Sequence, residues 1–545
     1  MKNQIDYRAG VAGLLMWGLL CGGLSGCNKT LEQAPKSYFS TGTFFSSVDE
    51  ATMAVLGVYE VMANYNTYGF QVSMLYDMDC DISQVSGTTL ADFRAVAHYA
   101  VTPQHNYITG TWQYFYKGID RANLAIESIP QMPLFTSGTE SERAELNRLL
   151  GEAKFLRGFY YFELVRLYGD VPMKLSSTQT GDNLQLPRTD RDTVYTQVIK
   201  DMKDAITLLP ETKTTVDERI SRNGAKGILA RVALFAGGYS LRQNGTMARP
   251  ANYKDFYLIA QQQTADIMLS GKNSLNASYE QYFRNQCKYV QDPQESMFEV
   301  ALYSVNGTGS TAGMIGTWNS PASDAANAYG RANGYVKTTP LFRNSFKPGD
   351  LRKDVATVTY KLDATGNKVE YTGKNDWQWT PGKWRKDWQV TPPKDLNNTD
   401  INWVILRYAD VLLMRAEAEN ELNNGPDEAA YNAINMVRRR AYGKPVNTPD
   451  ATVDLAPGLS KDNFFAMLKD ERAWELCFEG TRRADLIRWN LLGTAVKATQ
   501  DALTAYRAGY PYVAGTQFVP NKHELYPIPL RDMDLNPKLV QNPKY

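Results

Sequence analysis

Glu152-Ala-Lys-Phe-Leu-Arg-Gly-Phe-Tyr-Tyr-Phe-Glu-Leu-Val-Arg-Leu-Tyr-Gly-Asp-Val-Pro172 decides the fold class. Read from Glu142, apolar residues recur at Leu149, Ala153, Leu156, Tyr160, Leu164 and Leu167, in steps of three and four that lay one stripe along a helix ending at Tyr168. Gly169 stops that helix and Pro172 keeps it from resuming. The same period predicts helices over Thr111 to Ile129, Val194 to Leu209, Gly224 to Gly237, Asp255 to Leu269, Leu406 to Leu422, Pro426 to Tyr442 and Lys461 to Trp489. Several come as pairs (111–129 with 142–168, 194–209 with 224–237, 406–422 with 426–442), the arrangement of a helical-repeat scaffold. Between about 273 and 400 the pattern changes to short alternating segments such as Met297 to Tyr303 and Asp354 to Leu362. Gly, Pro, Asn and Thr break them up, as small strands and long loops require. The expected fold is therefore mostly α, with helices over about 38–272 and 401–545 and a loop-rich, short-strand insertion between them.

The first residues supply an address. Lys2 and Arg8 precede an apolar run from Val11 to Leu20, and small residues follow, the order of a secretory signal spanning 1–26. The run is too short to cross a bilayer. Leu24-Ser25-Gly26-Cys27 resembles the lipobox of bacterial lipoproteins, which implies lipidation of Cys27 and a tether over 27–37. Two or three acyl chains, at about 0.8 kcal/mol per buried methylene, hold a protein at a membrane.

Composition excludes several function classes. The chain has 59 Lys and Arg against 58 Asp and Glu. Without Lys2, Arg8 and Asp6 the balance is 57 to 57, so no basic face for nucleic acid is expected. Beyond Cys21 and Cys27 only Cys80, Cys287 and Cys477 remain, enough for at most one disulfide. Enzymatic motifs are missing: no Gly-x-Ser-x-Gly elbow occurs, and Gly307-Thr-Gly-Ser-Thr-Ala-Gly313 misses the dinucleotide spacing. Asp77-Met-Asp-Cys-Asp81 opens like an EF-hand loop, but Ile82 and Thr88 replace its glycine and bidentate glutamate. A structural calcium built from distant segments stays open, and no other cofactor is implied. His98, His105 and His523 are scattered, and His98 and His105 read as loop residues.

Four segments carry a family resemblance. They are Glu152 to Pro172, then Leu406-Arg-Tyr-Ala-Asp-Val-Leu-Leu-Met-Arg-Ala-Glu-Ala-Glu-Asn420, then Glu471-Arg-Ala-Trp-Glu-Leu-Cys-Phe-Glu-Gly-Thr-Arg-Arg-Ala-Asp-Leu-Ile-Arg488, and finally Tyr526-Pro-Ile-Pro529 with Asn536-Pro and Gln541-Asn-Pro543. In their order and spread they resemble the SusD/RagB family of surface lipoproteins from the Bacteroidetes. The resemblance implies tetratricopeptide-like helix pairs, an outer-membrane surface location, glycan capture without catalysis, and delivery to a SusC-like TonB-dependent transporter. Arg157, Glu163, Arg166, Arg407, Asp410 and Glu417 are expected as buried pairs that lock helix register.

A sugar presents an apolar C–H face and a rim of hydroxyls, so its site needs exposed rings beside hydrogen-bonding groups. Aromatic residues make up 12% of the chain. Two loop regions combine both: Asn64 to Phe70 through Asp77, Asp79 and Asp81 to Phe93, and Trp318 to Tyr335. Trp318 and Tyr329 are expected as platforms, with Tyr65 and Tyr68 behind them, and Asn66, Asp79, Asp81 and Arg331 as hydroxyl partners. Trp112, Trp384 and Trp474 are assigned to the interior. A peptide-binding member of the same family and a surface glycoside hydrolase stay open as alternatives.

Overall fold

The computed structural model describes residues 44–211, 217–303, 313–389 and 398–545. The signal segment, the tether and Cys27 lie outside the described residues. Eleven helices of nine residues or more are present among the described residues: α1 (Val48–Ala63), α2 (Asn106–Ser128), α3 (Glu140–Tyr168), α4 (Arg191–Leu208), α5 (Arg222–Ala236), α6 (Tyr253–Ser270), α7 (Tyr279–Cys287), α8 (Tyr408–Leu422), α9 (Glu428–Ala441), α10 (Lys461–Leu476) and α11 (Leu492–Tyr506). From α2 to α6 each helix packs on the next in sequence; α6 then packs on α8, and α8 on α9 and α10. The result is one continuous stack of helices, from which the segment between α6 and α8 projects. None of these helices is long and apolar enough to cross a membrane.

Helix α3 is the axis of the stack. A capping box starts it: Thr139 Oγ1 accepts the Glu142 N–H at 3.3 Å, and Glu142 Oε2 accepts the Thr139 N–H at 2.7 Å. Gly169 ends it with φ 77°. Its last five turns are buried almost all round, because α2, α4 and the insertion all pack against them. Close approach uses a missing side chain. A Cβ at Gly118 of α2 would lie 2.5 Å from the ring of Tyr160 on α3.

Among the described residues the insertion carries short antiparallel pairings and one isolated parallel bridge, between Ser323 and Leu362. Ser83–Val85 pairs with Val336–Thr338, and Ser296–Val300 pairs with Trp403–Arg407. The expected strand after 297 is therefore present, whereas Leu406 and Arg407 belong to a strand rather than to the helix that follows. The expected helix from Lys461 to Trp489 is also broken. It stops at Leu476 and resumes as a short turn at Arg482–Arg488, because Phe478 and Gly480 take left-handed conformations with φ 64° and 72°. That break turns Glu479 inward toward Arg407.

The arginines of the motifs are buried or half-buried, and most are paired with carboxylates, while Arg483 donates to the His523 carbonyl. Arg407 meets Glu295 at 2.7 Å, Glu475 at 3.0 Å and Glu479 at 2.7 Å. Arg440 reaches Glu475 at 2.6 Å and Glu295 at 3.1 Å, while Arg352 contacts Glu471 at 2.6 Å, Glu475 at 3.2 Å and Asp350 at 2.7 Å. Lys383 pairs with Glu479, and Arg438 with Glu471 at 3.1 Å. Five cations thus face five carboxylates, contributed by α9, α10, both flanks of the insertion and its middle. A second group joins Asp410 of α8 to Arg231 of α5 and Arg472 of α10, and Glu417 to Arg488. On α3, Arg157 grips Asp201 of α4, and Arg166 bridges Glu163 and Asp77. Residues beyond 525 close the stack: Tyr526 Oη donates to the Tyr76 carbonyl, and Asn542 Nδ2 donates to the carbonyls of Tyr168 and Tyr526. Cys80, Cys287 and Cys477 are buried free thiols.

Burial alone would raise the Glu475 carboxyl, but the guanidinium groups of Arg440, Arg407 and Arg352 hold it down at about 2, against an ordinary 4.5. A depressed carboxylate stabilises the fold above its unfolded value, so this contribution is complete above about pH 4.5 and is lost as pH falls toward 2. Glu475→Gln is expected to cost about 3 kcal/mol at neutral pH, since it leaves buried guanidinium groups short of charge. Thermal unfolding from pH 7 to pH 2 should show the gap between wild type and variant closing below pH 4.5.

Candidate functional site

Two segments far apart in sequence meet in one aromatic ridge. The turn after α1 is fixed by the Gly69 N–H donating to the Asn64 carbonyl, and the Gly69 carbonyl accepts the Met314 N–H at 3.2 Å. The strand pairing of Ser83–Val85 with Val336–Thr338 continues outward, with the Ser86 N–H on the Tyr335 carbonyl at 2.8 Å. Those contacts seat Trp318 between Phe70 and Phe93, at ring distances of 4.4 and 4.5 Å, with Tyr335 at 4.4 Å. Tyr65 packs on Phe70 at 4.8 Å, and its hydroxyl lies 3.4 Å from that of Tyr107. The Arg94 guanidinium covers Phe93 at 4.3 Å and donates from Nε to the Ser86 carbonyl. Tyr65 is exposed, and Phe93, Tyr107 and Tyr335 are half-buried with their outer edges available.

The residues expected at the site divide. Trp318 is only 7% exposed, so it supports the ridge from beneath instead of serving as a platform. Tyr68 is buried against Phe159 and belongs to the core. Asp79 is wholly buried, with Oδ1 accepting the Val85 N–H at 2.7 Å and Oδ2 held 2.5 Å from His98 Nδ1. Asp81 is bound by Nε and Nη2 of Arg482, the nearest contact being 2.6 Å. Tyr329 packs apart from the ridge, on the cluster of Val358, Tyr360 and Leu362. Asn66 is half-buried, with its side-chain oxygen accepting from Gln71. Arg331 is exposed and donates to Asn333 at 2.9 Å, close to the Trp318 turn that Asn333 joins through the Thr317 carbonyl. Of the residues expected at the site, Tyr65 and Arg331 are exposed and Asn66 is half-buried; Tyr107 and Arg94, which the sequence reading did not name, lie in the same ridge. Tyr107 sits one residue into α2, beside the N-cap His105. An aromatic at a helix start was the one available signal.

His98 lies in the turn that follows the short helix Asp92–Ala97, and its side chain is wholly buried. Both ring nitrogens face acceptors, Asp79 Oδ2 at 2.5 Å and the Gly87 carbonyl at 3.0 Å, so the ring carries both protons. Burial would lower its pKa, but Asp79 and these hydrogen bonds raise it above 6.5. His523 is buried and accepts the Val519 N–H; burial, with Lys522, Arg483 and Lys544 nearby, pushes it down to about 3.

Asp77, Asp79 and Asp81 turn to three different cations, Arg166, His98 and Arg482. They do not form the converging oxygen set that calcium requires. Among the described residues no three His, Cys, Asp or Glu side chains gather as a metal site.

Comparison with known proteins places this geometry. Residues 294–545 match the SusD family model, and residues 31–234 match a model described as starch-binding associating with outer membrane. The crystal structure of a SusD homolog from Bacteroides thetaiotaomicron VPI-5482 is 33% identical, covering 93% of this chain and 98% of its own, with a TM-score of 0.87. The chain belongs to the SusD family. Another relative, SusD-like protein P25 of Formosa agariphila, is 27% identical over 95% of each chain. The SusD fold is shared, at 19% identity and a TM-score of 0.69, by surface glycan-binding protein A of Bacteroides thetaiotaomicron in complex with laminarihexaose, over 91% of this chain and 100% of that one.

Two measurements separate support from surface in this SusD-family chain. Trp318→Ala is expected to lower stability by roughly 3 kcal/mol, as for other buried aromatic truncations, and to lower the melting temperature accordingly. A raised histidine stabilises most below its unfolded pKa, so the His98–Asp79 contribution is full below pH 6.5 and is lost as pH rises through the folded value. The melting temperature of His98→Gln should trail wild type most at pH 5.5 and approach it in alkaline buffer.

Proposed function

We propose that this chain is a surface-exposed lipoprotein that captures oligosaccharide or polysaccharide on the aromatic ridge and delivers it to a SusC-like TonB-dependent transporter. The observation that carries the reading is the ridge itself, in which exposed or half-exposed rings from two distant segments stand on the buried Trp318 and Phe70. Tyr65, Phe93, Tyr107 and Tyr335 offer flat apolar surface to sugar C–H faces, while Asn66, Arg94 and Arg331 offer hydrogen bonds to hydroxyls. The family description of starch binding at the outer membrane and the laminarihexaose held by a protein of the same fold both support a glycan ligand. Cys27 would supply the lipid anchor and the outer membrane its site.

Binding without turnover suits a capture role. A protein that hands its cargo on needs modest affinity at each contact, and several contacts along a polymer then supply retention.

Calorimetry against plant, host and microbial polysaccharides, followed by a reducing-end assay of each mixture, tests the reading. Binding with no new reducing ends is expected. Phe93→Ala and Tyr335→Ala should each weaken binding about tenfold without lowering the melting temperature by more than a few degrees. Losing roughly 50 Å² of apolar contact at about 25 cal/mol per Å² corresponds to that factor. New reducing ends would point to a hydrolase, and silence on every glycan to a peptide ligand.

A further inference from the structure

Beside the strand Ser296–Val300 lie two adjoining cavities of about 340 and 450 Å³ that share Glu218, Gln291, Ser296 and Glu299 in their walls. No residue of the aromatic ridge lines either one. The chain leaves α7 through Tyr289, a non-glycine residue held at φ 58°, and this left-handed turn presents its ring at the edge of the larger cavity, 46% exposed. Such a conformation is strained for an L-residue and persists only where its surroundings hold it. Tyr303, 64% exposed, lines the same cavity.

The polar groups of this cleft are ordered before any ligand arrives. Asn402 Nδ2 donates to Glu218 Oε1 and Glu299 Oε2, both at 3.0 Å, while its oxygen accepts the Leu302 N–H at 3.0 Å. Gln291 donates to the same Glu218 oxygen at 2.9 Å. Gln286 Oε1 is occupied by the Trp384 indole N–H at 2.8 Å, yet its buried amide nitrogen has no hydrogen-bond partner. An unmet buried donor is costly, and an incoming acceptor would relieve it. Among the described residues, Glu218, Asp292, Glu299 and Asp400 line the larger cavity with no Lys, Arg or His, and the adjoining one carries Lys272, paired with Glu211 at 2.9 Å.

We infer that this cleft is a second saccharide site, selective for a neutral, hydroxyl-rich chain: Tyr289 and Tyr303 take its C–H faces, the carboxylates accept its hydroxyl protons, and Gln286 donates to a hydroxyl oxygen. Uronate or sulfate groups are excluded by like charge. The inference rests on the glycan-binding reading, and it adds a site with its own specificity. Two separated sites on one molecule would let a polymer be held at both, raising avidity without any tight contact.

Hydroxyl-radical footprinting of the whole mature protein tests it, with hexasaccharides of β-1,3-glucan, β-1,4-glucan, α-1,4-glucan, xylan and mannan as neutral probes and hexagalacturonate as the anionic one. At least one neutral probe is expected to protect Tyr289 and Tyr303, and hexagalacturonate to leave them unprotected. Tyr289→Ala, and Tyr289→Gly, which removes the ring while relieving the backbone, should each weaken cleft binding about tenfold and leave protection of Phe93 and Tyr335 intact. Protection confined to Phe93 and Tyr335 would overturn the second site while keeping the proposed function. Equal protection by hexagalacturonate would overturn the stated selectivity. Protection of the cleft alone would uphold this inference and remove the ridge as the ligand surface. No protection anywhere would remove both.

Discussion

The buried contact between Arg407 and Glu475 is the constraint on which the rest of the structure depends. Each partner is shared, Arg407 with Glu295 and Glu479, and Glu475 with Arg440 and Arg352, so no pair can move without exposing another charge to a low-dielectric interior. Apolar packing holds helices together but tolerates sliding. A closed set of five cations and five carboxylates does not, because its geometry is met at one register only. The set draws from α9, α10 and the insertion, and it therefore fixes where the irregular segment lies relative to the stack.

That fixed position is what lets loops carry a rigid surface. The insertion returns to the first helices through the Met314–Gly69 hydrogen bond and the short pairing of Ser83–Val85 with Val336–Thr338. Trp318 fills the seam between the two, and its burial keeps the outer rings from collapsing onto one another. Trp318 and Phe70 are thus buried beneath, whereas Tyr65 is exposed and Phe93, Tyr107 and Tyr335 are half-buried around them.

Much of the fold was legible in the sequence because helices of this length announce themselves by period, as the stripe from Leu149 to Leu167 does. Family membership was legible for a related reason, since Arg407, Asp410, Glu417 and Glu475 sit in recognisable strings. The break at Phe478 was not, because a left-handed residue at an apolar position has no local signature; it is imposed by the need to bring Glu479 to Arg407. The site was legible by region and illegible by residue. Whether Trp318 or Tyr335 reaches the surface is decided by a strand partner some 250 residues away, and Asp79 looked like a ligand group because nothing nearby reveals that His98 will cover it.

The hydrogen bonds of Asn542 and Tyr526 to Tyr168 and Tyr76 have a consequence for how such a chain is made. The helices around α3 are synthesised early, yet part of their surface is covered by residues 374 and 450 positions further along the chain. Until those residues emerge the helices lack that cover, and transiently exposed apolar surface is prone to aggregation. The final closure is a long-range step, so it is slow compared with helix pairing.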